Sequence, residues 1–323
     1  MTRNNSPSAP AVLALGSINA DFQVRIARRP EVSETLIASD FTRLSGGKSA
    51  NVAWLAARLG VPVRLYGHVG DDDLAEQALA PLRRAGIPLD GVRRVAGQAT
   101  GVSMITVPPD GKKGIVLAPN ANHAWDEAAC AALAGAIRGC PPESVLATNG
   151  EIPAAALRAA MRAARETGIA CLLDPSPADA IGDDLIALAD FLAPNAGEAQ
   201  QLCGFSFDDA QGALRAARAL RERGAGVVCV KLADGGCVAW DGGRALHVPP
   251  APVEVVDSTG AGDAFAGALA VALLERRPLE EAVRFAVAAS HLAVTGWGSQ
   301  PAYPGREAIG DMMRRLEARG DAQ

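Results

Sequence analysis

The stretch from Asp257 to Leu269, DSTGAGDAFAGAL, places two aspartates and two glycines within seven residues, immediately before an apolar helical run. Gly260 and Gly262 let the backbone turn tightly there. The first N–H groups of the helix, those of Gly260, Ala261 and Gly262, then converge with the positive end of its dipole into an anion hole. Asp263 sits in the first helical turn and has two readings. It is either an acid that offsets the dipole, or a base that accepts a hydroxyl proton while the hole holds a phosphoryl group in transfer.

Two familiar nucleotide motifs fail on single residues. Gly47-Lys48-Ser49 ends like a P-loop, but Thr42 stands where that pattern requires its first glycine. Gly260-Ala261-Gly262 opens like a dinucleotide fingerprint, but Phe265 occupies the place of the third glycine.

The elements that must position this chemistry follow a regular rhythm. Short apolar runs (AVLALGSI, VRLYGHVG, SVLATNG, IACLLD, GVVCVKL) alternate with alanine- and arginine-rich helical stretches that close on Gly60, Gly86, Gly168 and Gly224. Strand, helix, glycine, strand is the signature of βα units and a largely parallel sheet. Residues 21–44 and 99–117 break the rhythm with β-branched residues and turn signals, and Val107-Pro108-Pro109-Asp110-Gly111 predicts a hairpin bend. Four short strands from these two insertions would form a small sheet that acts as a lid and pairs with a second copy of itself. After Asp257 the pattern becomes helical. Residues 1–10 are polar and aperiodic, the composition of a disordered tail, leaving 11–323 as a single domain.

Of the 323 residues, 49% are hydrophobic and 21% are charged, with a net charge of −5. That balance argues against a broad nucleic-acid or anionic-membrane surface. The N-terminus lacks the features of a secretory signal. The most apolar stretch, Ala264 to Leu274, is too short to cross a bilayer. Six single cysteines without a C-x-x-C pair suit a reducing cytoplasm and argue against structural zinc. His68, His123, His247 and His291 have no metal-ligand spacing and read as packing or surface residues.

With SGGKSANVAWLAARLG (45–60) near one end and DSTGAGDAFAGAL near the other, the chain resembles the ribokinase family of carbohydrate kinases. LGSINAD stands before them, and VGDDDLAE, TGVSMITV, DPSPAD, APNAGEAQ and AVTGWGSQPAYPG follow between and after them, all in the family's order. The resemblance implies a three-layer α/β/α sandwich with a mostly parallel central sheet, a β-sheet lid, and a cytoplasmic, dimeric enzyme. It would phosphorylate a primary hydroxyl of a pentose, D-ribose above others, using ATP with magnesium and activated by potassium.

Carried onto this sequence, the resemblance makes Asp263 the catalytic base beside the anion hole of Gly260, Ala261 and Gly262. Asn19 and Asp21 would bind one edge of the sugar, and Gly47, Lys48 and Asn51 the other. Ser103, Ile105 and Leu117 would contact it from the lid, and Glu151 would bind a further hydroxyl. Asn195, Lys231, Ala233, Asp234 and Gly236 fall at the nucleotide, with Glu198 at magnesium through water. Asp257, Thr259, Ala293, Gly296 and Gly298 match a monovalent-cation site, in which Ala302 replaces a serine of the family.

The amide and carboxylate set favours ribose over related substrates. A 2-keto-3-deoxy sugar acid should want a cationic partner and a nucleoside an aromatic-lined slot, while fructose is the remaining sugar alternative. A catalytically silent sensor on the same fold would have no use for Asp263.

Overall fold

The structure, a computed structural model, describes residues 9–320. Residues 1–8 of the expected tail lie outside the described residues, and Ala9 and Pro10 are exposed and belong to no helix or strand. The strands, in chain order, are β1 (Val12–Leu15), β2 (Asn19–Arg25), β3 (Thr42–Gly46), β4 (Val63–Gly70), β5 (Val92–Val95), β6 (Gly101–Val107) and β7 (Gly114–Ala118), followed by β8 (Val145–Asn149), β9 (Ala170–Asp174), β10 (Phe191–Leu192), β11 (Val227–Lys231), β12 (Cys237–Trp240) and β13 (Ala245–Val248).

Nine of them form one sheet in the order β13-β12-β11-β10-β9-β8-β1-β4-β5. It is parallel from β5 to β11, and β12 and β13 are antiparallel. The central strand β1 is buried on both faces, as a parallel strand covered by helices must be. Its alternation feeds two cores: Val12 and Ala14 pack with the helices Lys48–Arg58 and Ala261–Leu274, while Leu13 and Leu15 pack with Ala154–Thr167. Three layers result, in the ribokinase-like arrangement. The apolar run Ala264 to Leu274 belongs to a core helix buried almost all round, and no helix among the described residues is long and apolar enough to cross a membrane.

β3-β2-β6-β7 make a separate four-stranded sheet from the two insertions that broke the helical rhythm. β2 runs parallel to β6 and antiparallel to β3, and its register sets Asp21 opposite Ser103 and Leu44. Because side chains alternate across a strand, Asn19, Asp21 and Gln23 share the buried face and Phe22 takes the other. The chain from Val107 to Gly114 bends as the proline and glycine signals predict.

Candidate active site

Between the C-terminal ends of the parallel strands and the small sheet lies a cavity of about 660 Å³. The crevice beyond strand C-termini is where open α/β sheets bind ligands. At its floor the helix Ala261–Leu274 begins at Gly260, whose φ of +76° suits glycine. A Cβ there would lie 2.6 Å from both Ser299 Cβ and Tyr303 Oη, and Tyr303 Oη donates to the Gly260 carbonyl at 3.0 Å. The N–H groups of Gly260, Gly262 and Asp263 find no acceptor among the described residues, so this helix start is free to meet an anion.

Asp263 is buried, and its two oxygens are already addressed. Asn51 Nδ2 donates to Oδ2 at 2.7 Å, and Lys48 Nζ lies 3.3 Å from Oδ1. Gln300 Nε2 donates to Asn51 Oδ1 at 3.1 Å, which fixes the amide with its NH2 toward the aspartate. Lys48 continues to Asp174 Oδ2 at 3.2 Å, and Lys231 Nζ reaches Asp174 Oδ1 at 3.0 Å. Burial alone would lower the Lys48 pKa, but Asp174 and Asp263 outweigh it and hold it well above its usual range. Burial would likewise raise Asp174, but Lys231 and Lys48 keep it below. The Lys48 ammonium therefore faces the floor of the site, whereas the resemblance had set this residue at the sugar's edge.

At the other end, Asn19 Nδ2 donates to Ser103 Oγ at 3.2 Å and Asn19 Oδ1 accepts from Asn122 Nδ2 at 2.7 Å. Asp21 rests against Gly46, where a Cβ would come within 1.9 Å of its carboxylate, so the first glycine of the SGGK segment makes room for this acid. Asp21 Oδ1 is buried without a partner, and burial pushes its pKa up to about 7. Glu151 Oε2 accepts from Ser17 Oγ at 2.5 Å, and burial raises its pKa as well. Gly47, Ile105 and Leu117 complete this end of the lining.

Asn195, Glu198, Lys231, Ala233 and Asp234 also line the cavity, but Gly236 does not. Its N–H donates to Asp234 Oδ1 at 2.8 Å and its carbonyl accepts from Leu232 N, closing the turn that carries Asp234. Asn195 and Glu198 form a reciprocal capping box at a helix start. One oxygen of the Glu198 carboxylate is thus spent on the Asn195 N–H, while the residue still faces the cavity beside Asp174. Burial and Asp174 raise its pKa. No cluster of three or more metal-ligating side chains occurs among the described residues. A strongly hydrated magnesium ion asks for only one or two carboxylates, so this donor set fits it.

Asp257, Ala293, Gly296 and Gly298 stand behind the cavity wall, with Thr259 at its edge. Asp257 is fully buried, and its carboxylate accepts from Thr259 N, Gly298 N and Gln23 Nε2 at 2.6–2.9 Å. Thr259 Oγ1 and Gln23 Oε1 are buried beside it without a hydrogen-bond partner. Two orphaned oxygens next to a buried carboxylate suit a large monovalent cation.

Sequence reasoning missed Asp174, Asn122, Gln23 and Gln300, as well as Lys113 on the lid hairpin. Asp174 stood in the noted segment DPSPAD, so order along the chain could have flagged it. His291 is buried with Nδ1 toward Val287 O and Nε2 accepting from Ala251 N, a packing role. A larger cavity of about 890 Å³, beside Tyr66, His68 and Trp125, carries only one carboxylate, Asp90.

An α/β layer fold that aims a helix start and an adjacent aspartate at a pocket of hydroxyl-binding groups is the framework of a small-molecule kinase. The chain belongs to the pfkB family of carbohydrate kinases, whose profile matches residues 9–306, and it is an ATP-dependent sugar phosphotransferase. It is 32% identical over 293 residues to the ribokinase of Haemophilus influenzae, covering 91% of this chain and 95% of that one. A deoxyribokinase of Salmonella typhi is 30% identical over 303 residues, covering 94% of this chain and 98% of that one. Arabidopsis thaliana ribokinase complexed with ribose and ATP superposes with a TM-score of 0.83 at 30% identity, covering 95% of this chain and 99% of that one.

Proposed function

We propose that the chain is a ribose kinase, moving the γ-phosphoryl group of ATP to the primary hydroxyl of D-ribose to give ribose 5-phosphate. The observation that carries this reading is that one cavity holds Asn19, Asp21, Ser103 and Glu151 at one end and Asp263 with its anion hole at the other. Amide, hydroxyl and carboxylate groups match the donors and acceptors of a sugar's hydroxyls. Ribokinases are also among its relatives, including one solved with ribose and ATP.

In this reading Asp263 takes the proton of the attacking hydroxyl, and the free N–H groups of Gly260, Gly262 and Asp263 spread the charge of the transferred group, while the Ala261 N–H of the expected hole turns to the Ser258 carbonyl at 3.4 Å. Asn51 and Lys48 orient the base. Lys231, Ala233, Asp234 and Asn195 border the nucleotide. Magnesium entering with ATP would be held through water by Glu198 and would supply positive charge to the phosphate oxygens. Potassium would lie against Asp257 and Thr259 with carbonyl oxygens of Ala293, Gly296 and Gly298, and Gln23 joins that set.

The small sheet acts as a lid on a single α/β domain and excludes water that would otherwise receive the phosphoryl group. Its outer face exposes Met104 at 56% and Val116 at 73%, an apolar surface that suits pairing of two lids in a homodimer. Free cysteines suit a cytoplasmic setting.

An ADP-release assay across ribose, 2-deoxyribose, fructose, a 2-keto-3-deoxy sugar acid and nucleosides tests the assignment. Ribose should give the highest kcat/KM. A higher value for any other member would reassign the substrate, and no ADP release from any would leave a sensor.

A further inference from the structure

The lid carries a cation to the floor of the site. Between β6 and β7 the chain turns back at Gly111, whose carbonyl accepts from both Ser258 N at 3.2 Å and Ser258 Oγ at 2.8 Å. This latches the hairpin tip onto the residues just before the anion hole. On the outer side, Arg29 donates to the Lys112 carbonyl at 2.8 Å and pairs with Asp110 at 3.5 Å, so the other insertion braces the same tip.

From this tip Lys113 reaches inward, and its Nζ donates to the Ser258 carbonyl at 3.0 Å. The same oxygen lies 3.4 Å from Ala261 N, within the anion hole itself. Lys113 makes no ion pair among the described residues, whereas Lys48 and Lys231 both do. An ammonium has three donors, and one is used. Burial lowers its pKa, Asp263 is the carboxylate that most opposes the shift, and Lys48 adds to it by repulsion. A partly buried cation with two unspent donors beside unpaired helix N–H groups has the chemistry of a partner for an anion.

We propose that Lys113 is a catalytic cation supplied by the lid, contacting the phosphoryl group as it passes from ATP to the sugar hydroxyl. The proposal rests on the sugar-kinase reading. In that reaction the hydroxyl oxygen forms a bond to the γ-phosphorus and the bond to the β–γ bridging oxygen breaks. The electron pair leaves on ADP, and the proton goes to Asp263. Lys113 exchanges neither bond nor proton; it offsets charge on the oxygens in flight.

Because its hairpin also carries Leu117 and the neighbouring Ser103 and Ile105 over the sugar end, the charge arrives with closure over substrate. Its hydrogen bond to the Ser258 carbonyl, the oxygen that also faces Ala261 N, sets it at the transfer point, whereas a lysine serving an anionic sugar substituent would stand by Asn19 and Glu151.

Lys113→Met should lower kcat about 10²-fold or more, with sugar KM changed less than about threefold, and Lys113→Arg should recover at least about tenfold of the loss. Titration with ADP and aluminium fluoride, which together imitate the phosphoryl group in transfer, should show tighter binding than ADP alone for the wild type. Lys113→Met should lose at least about tenfold of that gain while binding ADP alone as before. A kcat within about threefold of the wild type overturns the proposal, as does a tenfold rise in sugar KM at unchanged kcat. Thermal melts of both variants separate a folding defect from loss of the charge. A wild-type enzyme that phosphorylates none of the sugars would fail the kinase reading instead, and the aluminium fluoride titration would still decide Lys113.

Discussion

Asn51 donates its side-chain N–H to Asp263 Oδ2 at 2.7 Å, across 212 residues of sequence. The bond leaves the carboxylate held from one side by an amide and from the other by the Lys48 ammonium, while Asp263 still lines the cavity. A base so restrained loses little freedom when a hydroxyl arrives, which is the positional part of general-base catalysis.

Asp263→Asn keeps the shape and one acceptor oxygen for Asn51 or Lys48 but removes the charge and the proton acceptor. Turnover should fall roughly 10²-fold or more while ATP and sugar still bind. Steady-state kinetics with calorimetric binding checks this. Unchanged turnover would reduce the aspartate to an acid offsetting the helix dipole.

Asp174 holds two lysines at once. Asp174→Ala leaves Lys231 partly buried without its counter-ion and Lys48 with Asp263 alone, and breaking such a buried pair costs about 3 kcal/mol or more. Urea unfolding should register that loss, and a variant as stable as the wild type would mean that water satisfies both ammonium groups.

How much of this was legible in the sequence depended on range. The βα rhythm, the lid strands and the glycine turn before Asp263 are local patterns, and each appears where composition and period place it. The Asn195–Glu198 spacing was legible too, but it encodes a helix cap and a carboxylate facing the cavity at once, and only coordinates show that one oxygen serves the cap. Lys48 meets Asp174 and Asp263 across 126 and 215 residues, and Gln23 meets Asp257 across 234. Such partners are fixed by the sheet order, which no local period carries. Lys113 was hidden for another reason: a lysine in a turn reads as solvated, and its inward direction is set by the latch of Gly111 on Ser258.

Asp21 gives the enzyme a pH signature. Its carboxyl is raised to about 7 by burial, so the folded, ligand-free protein keeps a proton that the unfolded chain has already released. The resulting penalty is absent below the unfolded value near 3.8, grows as pH rises, and is complete above about 7. Asp21→Asn should therefore be more stable than the wild type at pH 8, with the gain vanishing toward pH 4. Sugar binding has the opposite sign, since a hydroxyl donating to Asp21 needs the ionised form. Sugar KM should fall as pH rises through about 7, by at most about tenfold per unit, and the variant should show a higher, flatter profile. Identical wild-type and variant profiles would remove Asp21 from the sugar's edge.

Potassium should raise turnover, and the reason lies in the route from Asp257 to the anion hole. Asp257 holds the N–H groups of Thr259 and Gly298, and Thr259 is followed directly by Gly260. A cation held by these oxygens would order the turn that presents the hole's N–H groups, acting on the transition state without touching substrate. Thr259 Oγ1 and Gln23 Oε1 are buried oxygens without donors, so a cation would relieve two unsatisfied groups. Gln23 lies on β2 of the lid sheet, and Arg25 two residues on stacks over Trp297 at 3.7 Å, so ordering this loop also steadies the lid. Ala302 supplies no hydroxyl, a loss that a large ion of low charge can meet with a carbonyl or water. Turnover at saturating magnesium should be higher in potassium than in sodium or Tris at equal ionic strength, and Gln23→Leu should weaken the potassium response. Equal rates in all three would mean that the hydrogen bonds of Asp257 already order the loop, with the two orphaned oxygens left to water.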